Sequence, residues 1–188
     1  MRLNKVLVGL LIIALITSLI LCLKLHYELT YLKPRSYRSN INSLVELLRY
    51  SLDCIDALIW GIESWSNSGD TDELHVYIGV HLHHVTNYLS MAEHYASKID
   101  YNTYAALSEL EVLLHTWLNK LNENPNKTFN FLKNKLSSIK ELRGLLNSLI
   151  NQYVEVGNGA EVGEVQPIIN ELRDLIRELQ SKTDSELT

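Results

Sequence analysis

Apolar residues recur along this chain in two distinct ways. From Val6 to Leu23 they form one run, VLVGLLIIALITSLILCL, eighteen residues without a charge. From Asn40 onward they return every three or four residues, the period of one helix face. The first such stretch, about 40–67, carries Ile41, Val45, Leu48, Leu52, Ile55, Ile59 and Ile62. This alternation of fours and threes is a heptad seam. A second, about 71–99, repeats it through Ile78, Leu82, Val85, Leu89, Ala92, Ala96 and Ile99, with Asp70 as N-cap. The third, 103–123, packs through Leu107, Leu110, Leu114, Trp117 and Leu121. The fourth opens after Asn124-Pro125 and runs to about Val154 through Phe129, Leu132, Leu136, Ile139, Leu146, Ile150 and Tyr153.

Turns of about three residues cannot run back along a helix, so successive helices must be antiparallel. The expected fold is all-α: an N-terminal transmembrane helix, then an up-down antiparallel four-helix bundle, then an additional C-terminal amphipathic helix. The corresponding segments are a basic leader 1–5, a membrane helix with its juxtamembrane extension 6–32 and a basic linker 33–39. The bundle occupies 40–154, a glycine-containing flexible linker 155–166, the last helix 167–182 and a tail 183–188. Pro167 suits the first turn of that last helix, whose stripe is Ile169, Leu172, Ile176 and Leu179, widened by Ile168 and Leu175. It is expected to pack on the bundle.

Eighteen helical residues span roughly 27 Å, close to the thickness of a bilayer core. A cleaved signal peptide is the rival, but Leu21-Cys22-Leu23-Lys24-Leu25 contains no small-x-small cleavage pair. The lipid bilayer is therefore an expected partner of residues 6–23. Lys and Arg counts alone put the body inside the cell, because more follow the run than precede it. The short leader, with Arg2, Lys5 and an α-amino group, resists translocation. The sequon Asn126-Lys127-Thr128 also suits an outside loop, so the bundle is read as extracytoplasmic.

Of 17 basic and 22 acidic residues, six basic ones and Glu28 fall within 1–39; 11 against 21 remain, a net of −10 for the body. An acidic body without a basic stripe excludes nucleic acid as a partner. Two cysteines, Cys22 and Cys54, provide no disulfide framework.

Chemistry-bearing patterns are sparse. His81 and His84, at i and i+3, can reach one metal ion, and Asp56 on the first helix falls near the height of Leu82 as a third ligand. The Glu-x-x-His pairs of di-iron bundles are absent, as are His-Glu-x-x-His, Gly-x-Ser-x-Gly and phosphate-cradling loops. Cys54 sits beside Asp53 and Asp56, which oppose thiolate formation. Two surfaces suit a protein partner. Trp60 falls about 120° from its seam, and Lys133, Lys135, Lys140 and Arg143 form a basic face on the fourth helix. The expectation is a non-enzymatic interaction module (adaptor, sensor ectodomain or assembly subunit) with no cofactor and a protein partner or self-association. The alternative is a metal- or cofactor-binding bundle on His81 and His84. A pilin-like filament subunit ranks last, since the apolar run has no early glutamate or processing site.

Overall fold

The computed structural model describes residues 18, 20–27, 33–65 and 71–187. The chain divides into two compact units, Met1–Ser39 and Asn40–Thr188. In the first, residues 20–27 are helical and Ile20, Leu21, Leu23 and Leu25 are each about 60% exposed. Residues 6–17 and 19 of the apolar run lie outside the described residues. Among those described, no helix is long and apolar enough to cross a membrane.

The second unit is entirely helical among the described residues. Its elements are α1 Lys33–Trp65 (which begins in the first unit), α2 Thr71–Ala96, α3 Tyr101–Glu123, α4 Pro125–Asn134, α5 Leu136–Gly157 and α6 Gln166–Leu187, with a 3₁₀ turn at Val162–Val165 before α6. Pro34 lies in the first turn of α1, where its missing N–H costs nothing. Asp100 caps α3 by accepting from the Thr103 amide at 2.9 Å. Asn124 caps α4 by accepting from Lys127 N at 3.1 Å, with Pro125 directly after it.

All seven expected seam residues of α1 are buried, as are Ile78 to Ala96 on α2 and Leu107 to Leu121 on α3. Interhelical contacts then give the order of neighbours. Tyr50 meets Tyr88 and Trp60 meets Tyr77, so α1 and α2 run antiparallel. Gly79 faces Leu121 across α2 and α3, also antiparallel. Arg143 holds Asp56 and Lys140 holds Glu63, pairing α5 antiparallel to α1.

The fourth and fifth contacts depart from the expected bundle. No Cα of α3 comes within 8 Å of one of α5, because α6 lies between them. Asn102 bonds Gln166, Arg173 bonds Glu109, and Trp117 bonds Thr183. The near-constant sequence offset makes α3 and α6 parallel. Gln152–Glu164 and Lys135–Glu186 set α5 and α6 antiparallel. The body is thus a closed ring, α1–α2–α3–α6–α5, rather than four helices with one added outside. Direction must alternate at every antiparallel contact, and five members cannot alternate all the way round. One parallel pair is obligatory, and it is α3–α6.

This order explains two corrections. The expected single helix from about 125 to 154 is broken at Lys135, where φ is −98° and ψ 10°. To reach α5 from α3 the chain must pass the end of α6. The ten residues of α4 cover about 15 Å, roughly what crossing one helix at 8–10 Å spacing demands. Phe131 is buried in consequence, while Phe129 and Leu136 are only half-buried. The glycine-containing segment is likewise ordered: α5 extends to Gly157, Gly159 takes φ 118°, and Val165 is fully buried. At φ 118° a side chain would strain the backbone, so glycine is required there.

Two buried polar chains fasten the ring. The Asp100 carboxylate can only accept, so the Thr103 hydroxyl donates to it at 2.8 Å, and the Tyr153 hydroxyl donates to Thr103 at 2.6 Å. The α3 start is thereby tied to the α5 end. Trp117, 1% exposed, donates from Nε1 to Thr183 Oγ1 at 2.8 Å, and Thr183 donates onward to Leu179 O at 2.8 Å. Each buried group in that chain is satisfied.

Candidate functional site: the α1–α2 surface

Gly61 starts the most distinctive local structure. A Cβ there would fall 2.7 and 2.8 Å from ring atoms of Tyr77, closer than atoms can sit. The missing side chain lets the Tyr77 ring lie against the α1 backbone. Trp60, 54% exposed, stands 5.8 Å from that ring, and His81 stands 4.5 Å from it. Glycine inside a helix costs about 1 kcal/mol against alanine, so close approach is what it provides. In Gly61→Ala the helix gain is opposed by overpacking of about 1–3 kcal/mol. The expected result is a net loss of up to about 2 kcal/mol in a denaturant titration, with changed near-ultraviolet dichroism as the Trp60–Tyr77–His81 stack shifts.

The expected metal-ligand residues do not converge. His81 and His84 have ring centroids 6.4 Å apart, edge to face. Asp56 stands at the expected height but on the opposite flank of α1, where Arg143 donates to both its oxygens at 2.8 and 2.9 Å. Among the described residues no group of three His, Cys, Asp or Glu side chains is placed to hold a metal ion. The Nδ1 of His81 is buried without a hydrogen-bond partner. Burial, then the neighbouring His84, pushes the His81 imidazole below its ordinary value.

The expected basic face is also spent on structure. Lys140 is bonded to Glu63 at 2.6 Å, Lys135 to Glu186 at 2.7 Å and Arg143 to Asp56, while Lys133 lies on α4, beyond the helix break, and is itself engaged. Neighbouring helices supply an acid for each α5 cation, because the ring brings α1 and α6 to its two sides. Trp60 remains exposed, as expected, and α6 does not cover it. The sequon lies in the first turn of α4 rather than a loop. Thr128 is 1% exposed, so a transferase reading its hydroxyl has no access in the folded chain. Cys54 is half-buried, and burial, then Asp53, raises its thiol.

One carboxylate was missed by sequence reasoning. Glu93 on α2 is half-buried with Oε1 unpartnered, and burial, then repulsion from Glu111 on α3, holds its carboxyl above the usual range. A raised folded-state value means a contribution to stability that is present below about pH 4.3 and lost as pH rises through the folded value. At neutral pH Glu93 therefore costs stability. Glu93→Gln should raise the melting temperature at pH 7 by about 1–3 °C, with the gain gone near pH 4 in a pH series of thermal melts.

No protein-family model matches this chain, and neither a curated protein nor a solved structure is similar to it.

Proposed function

We propose that this chain is a single-pass membrane-anchored protein whose helical bundle is a non-enzymatic interaction module, held on the extracytoplasmic side. The observation that carries this reading is Trp60, half exposed yet fixed against Tyr77 in the notch that Gly61 leaves. An aromatic side chain held rigid at the surface loses little entropy on binding, which is why such residues anchor interfaces. The anchor rests on the uncharged run 6–23, whose members Ile20, Leu21 and Leu23 are exposed, as is Leu25 just beyond it. The extracytoplasmic side rests on the short basic leader.

Crosslinking in native membranes, with protease accessibility of intact cells, tests the proposal. Wild-type chain should crosslink to a protein or to itself, Trp60→Ala should lose most of that product, and the bundle should be cleaved from outside. A chain recovered alone under every crosslinker would count against the module, and extraction without detergent would remove the anchor.

A second reading, a metal- or cofactor-binding bundle, is favoured by the buried unpartnered Nδ1 of His81 beside His84. Asp56 is not available to it, and the described residues supply no third His, Cys, Asp or Glu ligand. Stoichiometric metal in purified protein, lost in a His81→Ala, His84→Ala double variant, would establish it. Metal-free wild type that melts unchanged in chelator would dismiss it.

A further inference from the structure

Helix α2 carries a second seam, on the face opposite its buried one. Val76, Val80, His83, Asn87, Ser90 and His94 are all exposed and are spaced four, three, four, three and four apart. That is the spacing of a helix that packs along its length against another helix. Between Glu73 and Lys98 the helix bears no fixed charge except the half-buried Glu93. By contrast, α1 turns Glu46, Arg49, Asp53 and Glu63 outward. In a body of net charge −10, this is the face where another acidic surface can approach without facing a row of carboxylates.

We infer that two copies of this chain pair through the outward seam of α2, antiparallel about a two-fold axis level with Val85. The inference rests on the interaction-module reading and names its partner. The seam's spacings read the same in both directions, as a self-complementary contact requires. Antiparallel pairing sets Val76 opposite His94 of the second copy, Val80 opposite Ser90, and His83 opposite Asn87. A polar pair at the centre of a seam flanked by valines fixes register. The same pairing brings Glu73 at one end near Lys98 at the other, just past the helix end and held 2.8 Å from His94 in its own chain, twice over, so the bordering charges are complementary. Trp60, beside Tyr77, flanks the Val76–Val80 end and widens the contact beyond a strip about 27 Å long. A standard interface buries about 800 Å² per partner. Copies sharing a membrane need less, because tethering raises their effective concentration.

The test uses full-length chain in detergent and in membranes, with Cys22→Ser and Cys54→Ser as background. Val80→Cys with Ser90→Cys should give a disulfide-linked dimer on mild oxidation. Within one helix these positions lie about 15 Å apart, beyond the reach of a disulfide, so the link must be between copies. In the wild type, Glu73→Lys alone and Lys98→Glu alone should each weaken the dimer about tenfold in light scattering, and the double exchange should restore it. Glu73, Val80, Ser90 and Lys98 are exposed, and a cooperative melt of the background variant, whose Cys54 site is half-buried, establishes that it folds. A monomer at every concentration, a dimer without the cysteine link, or no rescue by the exchange would overturn self-pairing. If native-membrane crosslinks from α2 instead join a different protein, self-pairing fails while the interaction module stands; no crosslink of any kind defeats both.

Discussion

A chain that ends at Ala160 is expected to lose cooperative unfolding. The truncation removes α6 and with it six buried apolar side chains, Ile169, Leu172, Leu175, Ile176, Leu179 and Leu187. At about 1.5–3 kcal/mol each, their burial contributes roughly 9–18 kcal/mol, comparable to the whole stability of a domain. Nothing can replace them in place: no Cα of α3 lies within 8 Å of one of α5, so the two helices, tied at one end through Thr103 and Tyr153, would face each other across an empty slot along the rest of their length. Circular dichroism should retain helix while thermal unfolding broadens and a hydrophobic dye binds. The outcome discriminates sharply between architectures. A four-helix bundle with an accessory helix would still melt in one transition after the cut, and a sharp transition would refute the five-membered ring.

The second large effect is expected at Trp117. Its indole is fully buried at the α3–α6 junction, 6.2 Å from the Phe131 ring and bonded to Thr183. Trp117→Ala should cost about 3–5 kcal/mol, from lost burial and the cavity left behind. For a chain of this size that is a fall of about 6–20 °C in melting temperature. Trp117→Phe keeps most of the volume and forfeits the hydrogen bond. Thr183 still donates to Leu179, so the loss should be only about 1–2 kcal/mol. Denaturant titrations of the two variants separate packing from hydrogen bonding at this joint. Equal losses would mean that the bond, not the ring, is what matters there.

Much of the candidate site was legible before any coordinates, though unevenly. Trp60 was placed outside its seam by angle alone and is exposed. His81, four residues before the seam residue Val85, is half-buried. Asp56 shows where that reasoning stops. Its height relative to Leu82 follows from the turn length, but whether it leans toward α2 or α5 depends on which helix occupies that side. The basic residues on α5 likewise look like one face until α1 and α6 arrive with Glu63, Asp56 and Glu186. Gly61 could be read only as a helix glycine, since its purpose lies in a tyrosine on another element.

Periodicity by itself determined that the body is helical, where its seams lie, and that consecutive long helices alternate in direction. These follow from local geometry: 3.6 residues per turn and short connections. It also marked the uncharged run 6–23 and the helix start after Asn124-Pro125. Tertiary structure alone decided that α6 enters the ring between α3 and α5, that α3 and α6 run parallel, and that the chain breaks at Lys135 to pass them. An amphipathic stripe states that a face must be buried and is silent about which neighbour buries it. That choice belongs to the whole set of helices competing for the same core.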